Sequence, residues 1–439
     1  MAYIPGWRLP RPSVEHATGI CIALTLNSGA VEVPLYAALG IPPVLGAPLM
    51  ALAGMLGAIA FARLCPRFAV TKAALAPLGF WFILVLWAAL SLAWSSAVDL
   101  AGAKLAQILG ISTLFLMLGI CAGFAADAFE ALLGALFVIG LATAAAIFVF
   151  TNNGAIPAGA HAADALKTFA DAYQATTQCV SLAAIVAFIQ TIRRETGRFA
   201  RWGWAAAWLI LTLATLAGGG RGAAIAGAAA QCATLAFALF YYHGRPHAAR
   251  LLYGLLALPL LAAGVLAIGS LAELRGIERL SSLANSLVDK TGRHALWSAA
   301  LAMADRYPLA GAGLASFQAS ANNIESLGRY PHNVFLEVLA EYGLAGFVPF
   351  TGALVSSIVA VLRRARALPF AQEAAWLGLF VYILCEINVS GSVTDRIVAF
   401  IIGLSVGLAA RSATAPDEGP SATQPASPPA QKSARTSPA

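Results

Sequence analysis

The chain has 439 residues, 60% of them apolar, and its 40 glycines bring that share to roughly 69%, where soluble domains run near 45–50%. Charged residues make up 11%, less than half the roughly 25% typical of a globular protein, so an ordinary soluble protein is excluded and most of the chain faces lipid or itself. The net charge of +7 does not point to nucleic acid, because the basic residues fall in short clusters between apolar runs and not along an aromatic-studded stripe.

The first 16 residues are basic and broken by proline, yet the apolar run behind them is too long for a signal peptide and lacks a small-residue cleavage site. It reads as a retained first span. A membrane-crossing helix needs about 20 apolar residues, and such runs recur about twelve times, at 17–38, 42–62, 76–94, 101–123, 127–150, 174–192, 202–217, 222–242, 251–270, 333–361, 372–389 and 394–410. The expected fold is therefore an all-α integral membrane protein, with a polytopic membrane domain over 1–410. Residues 411–439, rich in Pro, Ser, Ala and Thr and without apolar period, are expected to form a disordered cytoplasmic tail. Six cysteines, Cys21, Cys65, Cys121, Cys179, Cys232 and Cys385, lie in or beside the apolar runs with no C-x-x-C spacing, and read as inert core thiols.

Lysine and arginine resist translocation, so their distribution sets orientation. With the N-terminus inside, fifteen of them fall in inside segments and only Lys104, Lys167, Arg221 and Arg396 in the short outside loops. Both termini are then cytoplasmic. The one long loop, 271–331, lies outside and mixes charges with apolar residues at helical spacing. Within it, TGRHALWSAALAMADRYP puts Leu296, Trp297, Ala300, Leu301 and Ala304 on one face, and Pro308 stops the run. This predicts an amphipathic helix on or near the outer membrane surface.

Ionisable groups at membrane depth are costly and are functional candidates for that reason. Arg221, in AGGGRGA, reads either as a snorkelling helix-end arginine or as an anion contact in a glycine loop with exposed N–H groups. Arg293 opens the amphipathic helix one turn before Trp297, whose ring is suited to pin that helix. His332 follows Pro331 at the start of the tenth span, where the helix N-terminus disfavours the imidazolium and leaves a neutral ring able to accept a proton. A capping or interfacial histidine is the alternative reading. Glu337 and Glu341 share a face at i and i+4, either orienting an Arg or His or standing as hydrated helix-start acids. No D-x-D pair, P-loop, G-x-S-x-G or H-E-x-x-H is present, and the six histidines form no ligand-spaced cluster. No cofactor is expected.

GRHALWSAALAMADRYPLAGAGLASF followed by YPHNVFLEVLAEYGLAGFVPF resembles the long periplasmic loop and following span of the bacterial O-antigen ligase and polymerase superfamily, and WAALSLAWS and GGGRGA are similar to its members as well. The resemblance implies an inverting, metal-independent glycosyltransferase of the membrane GT-C type, in the inner membrane with a periplasmic active site. Its donor would be a polysaccharide on undecaprenyl diphosphate and, in the ligase branch, its acceptor the lipid A-core oligosaccharide, with membrane lipids around it and no nucleic acid partner. Carried over by position, the resemblance maps the family's essential histidine to His332 and its two arginines to Arg221 and Arg293. Two always-charged arginines, bidentate towards phosphate, suit a diphosphate leaving group, so Arg221 and Arg293 are the expected diphosphate-binding residues, with Arg275, Arg279 and Arg329 as the next candidates and Trp297, Glu337 and Glu341 as candidate supporting residues. The late position of the single long loop favours a ligase over a polymerase, and the short tail disfavours a protein O-oligosaccharyltransferase. A twelve-span secondary transporter is the rival from another class, set back by the absence of a half-to-half repeat.

Overall fold

The computed structural model describes residues 13–32, 45–67, 71–152, 173–218, 220–243, 293–321, 330–363 and 368–414. Its helices are α1 (Val14–Leu26), α2 (Gly46–Leu64), α3 (Lys72–Ser91), α4 (Val98–Gln107), α5 (Thr113–Phe124), α6 (Ala126–Asn152), α7 (Tyr173–Ile192), α8 (Arg198–Ala217), α9 (Arg221–His243), α10 (Arg293–Arg306), α11 (Ser316–Ala321), α12 (Val334–Leu362), α13 (Phe370–Ile387) and α14 (Arg396–Thr414). A π-helical turn, Ile108–Ser112, joins α4 to α5. No strand occurs among the described residues.

Nine helical stretches among the described residues are long and apolar enough to cross a membrane. Helix covers the described part of eleven of the twelve expected runs, wholly or in large part; the run 251–270, with residues 33–38 and 42–44 of the first two, lies outside the described residues. Large apolar side chains stand exposed around the bundle, among them Phe82, Leu86, Val138, Phe148, Phe199 and Val348. Such a girdle is stable against lipid and not against water. The chain is an all-α, multi-pass membrane protein.

Helix ends are built from local chemistry. Ser13 and Thr71 cap α1 and α3 by accepting the amides of His16 and Ala74, each at 3.1 Å. The helix α14 is the centre of the bundle: every residue from 398 to 410 is buried, as expected of a helix that is apolar all round. It packs against α5 through interlocking glycines. A Cβ on Gly119 would fall 2.2 Å from the Phe400 carbonyl oxygen, and one on Gly403 would fall 2.0 Å from that of Leu116; Gly123 and Gly407 repeat the contact one turn on. Two G-x-x-x-G faces thus let the backbones meet, the device that replaces the hydrophobic effect inside a bilayer.

Four details depart from the sequence reading. The helix α14 continues to Thr414, past the expected start of the tail, because its last turn stays helical beyond Arg411; the remainder of the tail and residues 271–292 of the long loop lie outside the described residues. In α10, Leu296, Ala300 and Ala304 are buried but Leu301 is 52% exposed. The buried face runs at i, i+4 and i+8 and packs on Phe317 and Ala340, so α10 rests against protein through a stripe narrower than expected. Cys65 is exposed, so it is no core thiol. Finally, α12 is one run in sequence but two helices in space, broken at Gly343.

The glycine interlock gives the first prediction. Gly403→Leu should lower the thermal unfolding midpoint of the detergent-purified protein by an amount equivalent to about 1–3 kcal/mol or more, since the backbones must part. The lipid-facing Val355→Leu should leave it unchanged. Equal midpoints for Gly403→Leu and the parent would contradict the packing assigned to α5 and α14.

Candidate functional site

The break in α12 organises one end of the bundle. Gly343 sits at φ 61°, ψ −164°, outside the helical region, and the carbonyls and amides around it lose their intrahelical partners. In an apolar surrounding each such group costs several kcal/mol unless paired. The segment 308–313 supplies the partners. The Ala312 and Gly313 amides donate to the Ala340 and Glu341 carbonyls at 3.0 and 2.9 Å, and the Leu344 and Ala345 amides donate to the Pro308 and Leu309 carbonyls at 2.9 and 3.0 Å. Trp87 Nε1 takes the Tyr342 carbonyl at 2.9 Å. Close approach requires Gly311 (φ 74°) opposite Gly343, because a Cβ at Gly311 would fall 2.3 Å from the Glu341 carbonyl. Trp94 Nε1 and Ser95 Oγ fasten the same segment at the Gly311 and Leu314 carbonyls, at 3.2 and 2.6 Å.

The half-helix before the break carries both candidate acids. Glu337 and Glu341 are fully buried and converge on Lys104 of α4, whose Nζ lies 2.5 Å from Glu337 Oε1 and 2.7 Å from Glu341 Oε2. Glu337 also accepts from Ser392 Oγ at 3.0 Å and from the Val393 amide at 2.9 Å. Among the described residues the charged partner of both buried acids is a lysine, not an Arg or His. Lys104, expected in an outside loop, is itself only 3% exposed. Its signal was an ionisable residue inside an apolar run, but nothing in a linear sequence relates it to acids more than 230 residues away.

His332 stands just before the half-helix. Its φ is +55°, a left-handed conformation that costs a non-glycine residue about 1–2 kcal/mol. Both neighbours are held. The Pro331 carbonyl accepts from Trp297 Nε1 at 3.0 Å. Asn333 caps α12 by accepting the Leu336 amide at 3.1 Å, while its Nδ2 donates to the Asn388 carbonyl at 3.2 Å. The Tyr330 ring lies 4.2 Å from the His332 ring. Trp297 thus ties α10 to the His332 segment.

Arg221 and Arg293 begin α9 and α10, and their side chains lie outside the described part of the structure. The backbone beside Arg221 reaches the same end of the bundle, where a Cβ on Gly222 would stand 3.5 Å from Glu386 Oε2 and 3.8 Å from Val389. The glycines before it have a packing reason. A Cβ on Gly220 would fall 2.1 Å from Thr177 Oγ1, and one on Gly218 would fall 2.4 Å from its Cγ2. Their smallness lets α7 close on this turn, which weakens the anion-loop reading of those two positions. Among the described residues no three His, Cys, Asp or Glu side chains converge where a metal ion would sit.

Residues 205–351 match the O-antigen ligase family. That stretch, about a third of the chain, is similar to the O-antigen ligase family. No curated protein matches the chain. The matched stretch takes in all six sequence candidates, Arg221, Arg293, Trp297, His332, Glu337 and Glu341, and both sides of the Gly343 break. Lys104 and the turn at 388–393, which clasp it, lie outside.

Removing one partner from a buried ion cluster costs about 3–5 kcal/mol, because the remaining charge is stranded. Lys104→Met should therefore unfold at a much lower temperature than the parent in detergent. Adding Glu337→Gln and Glu341→Gln to it should recover most of the loss, since a Gln carbonyl still accepts from Ser392 and Val393. A Lys104→Met protein as stable as the parent would show that the lysine neutralises nothing that matters.

Proposed function

We propose that this protein transfers an O-antigen polysaccharide from undecaprenyl diphosphate to a hydroxyl of the lipid A-core oligosaccharide, at the periplasmic face of the bacterial inner membrane. The observation that carries the reading is the O-antigen ligase match over 205–351, which encloses every residue singled out for this chemistry. The wider topology belongs to the same proposal: about twelve spans, both termini cytoplasmic, and the loop 271–331 periplasmic.

In this mechanism His332 takes the proton of the acceptor hydroxyl. The oxygen attacks the anomeric carbon from the face opposite the diphosphate, the bond from that carbon to the phosphate oxygen breaks, and undecaprenyl diphosphate leaves with the electron pair. The anomeric centre is inverted. Arg221 and Arg293 meet the charge on the leaving group, being always protonated and bidentate towards phosphate. The energy is already stored in the donor, so neither ATP nor a nucleotide sugar enters. A polymerase of the same superfamily would use the same step with a second lipid-linked glycan as acceptor.

A second reading has one observation in its favour. A buried Lys–Glu–Glu cluster in apolar helices is the kind of group that relays protons in ion-coupled transporters. Uptake of a glycan or proton into vesicles, without any glycan transfer, would favour it.

Two predictions test the proposal. With the native cysteines removed, Ser298→Cys, exposed on α10, should react with a membrane-impermeant thiol reagent on intact spheroplasts, and Glu195→Cys, exposed at the opposite end of the bundle between α7 and α8, should not. The reverse pattern overturns the orientation. In reconstituted vesicles with lipid-linked donor, acceptor and chelator, the parent should transfer glycan to lipid A-core. Arg221→Lys and Arg293→Lys should each lose about 10- to 100-fold, the worth of a charge-assisted hydrogen bond, and His332→Ala about 10²- to 10⁴-fold with donor binding kept. Full activity of His332→Gln, or activity that returns only with added divalent metal, would sink the roles assigned to the histidine and the arginines.

A further inference from the structure

The loop between α13 and α14 grips the His332 segment through five of its residues between 388 and 393. The Ser390 carbonyl accepts from the Tyr330 hydroxyl at 3.3 Å. The Asn388 carbonyl and Oδ1 accept from Asn333 Nδ2 at 3.2 and 3.4 Å. Gly391 is pressed so closely that a Cβ there would fall 2.9 Å from Val334 Cγ2, and Ser392 and Val393 hold Glu337. The turn itself is stiff: the Val389 and Ser390 amides donate to the Glu386 carbonyl at 3.0 and 2.9 Å, and Asn388 Nδ2 donates to the Leu384 carbonyl at 2.7 Å. On its other side the same turn meets the start of α9, where Gly222, next to Arg221, packs on Glu386 and Val389.

One turn therefore touches both halves of the candidate site, the helix start that carries Arg221 and the strained backbone that carries His332. We propose that the turn at 388–390 is a positioning element that fixes His332 relative to Arg221, and that Asn333, Asn388 and Trp297 act on the transfer step through His332 without touching substrate. The physical need is plain. A left-handed histidine relaxes unless its surroundings over-determine it, and a base displaced by about 1 Å costs on the order of 10²-fold in rate. Trp297 fixes the peptide before His332, and the Asn333–Asn388 bridge fixes the one after it.

This inference rests on the assignment of His332 as the base, and the test separates the two. The full chain in lipid nanodiscs is assayed with undecaprenyl-diphosphate-linked donor and lipid A-core acceptor. Asn333→Ser keeps a hydroxyl to cap the Leu336 amide but is too short to reach Asn388. Trp297→Phe keeps an aromatic ring on α10 and loses the N–H on the Pro331 carbonyl together with the smaller ring of the indole. Each should lower kcat about 10- to 100-fold, with donor KM within about twofold of the parent and a thermal midpoint within a few degrees. In the His332→Ala background neither should lower the residual rate further. Parental kcat in both single variants, or an equal loss with and without His332, overturns the positioning role while leaving His332 as base; a fully active His332→Ala overturns the base and the positioning role together.

Discussion

A helix that crosses an apolar layer must pair every backbone group, and α12 does not pair its own. The break at Gly343 strands the carbonyls of Ala340, Glu341 and Tyr342 and the amides of Leu344 and Ala345, and the rest of this end of the protein follows from where those groups find partners. The segment 308–313 threads alongside as a turn followed by a short strip with left-handed glycines and takes four of them. Trp87 takes the fifth. In return the strip is fixed in place and draws α10 down onto α12, so that Trp297 arrives at the Pro331 carbonyl. Interrupted helices at membrane depth are tolerated where they are buried in protein, and here the interruption ties together elements from three distant parts of the chain.

The ion cluster works on the same half-helix from the other side. Lys104 binds two carboxylates one turn apart, and the loop after α13 adds a hydroxyl and an amide to Glu337. Two carboxylates buried together repel, and a single ammonium between them with further hydrogen bonds is what makes their burial tolerable. The half-helix is thus held by the backbone at one end and by charge along its face. His332 and its cap residue Asn333 stand at its N-terminal end, where a change in tilt would move them most and where Trp297 and Asn388 hold them. The conformation of His332 is consistent with this: a left-handed non-glycine residue persists only where its neighbours are pinned, and they are.

Much was legible in the sequence because membranes simplify the code. Length and hydropathy of a run decide that it crosses, and helix covers the described part of eleven of the expected runs here, wholly or in large part. The Y-P-H-N and E-Y-G-L-A-G stretches were visible as motifs, and the spacing of Glu337 and Glu341 put them on one face without geometry. The glycines of GGGRG were visible too, yet their purpose was not: a glycine needed for close packing and one needed for an exposed amide look alike until Thr177 is seen against Gly218 and Gly220.

What the sequence by itself determined is therefore the class of protein, the order of the long apolar helices among the described residues, and the candidate residues Arg221, Arg293, Trp297, His332, Glu337 and Glu341. Those depend on local composition and periodicity, which a chain carries along its length. The partner of the two acids, the break that splits α12, and the turn at 388–390 that links Asn333 to the start of α9 were decided only by tertiary structure. Each of them pairs groups from distant parts of the chain, and a hydrogen bond or an ion pair depends on distance in space, which apolar helices of nearly interchangeable sequence do not encode one by one.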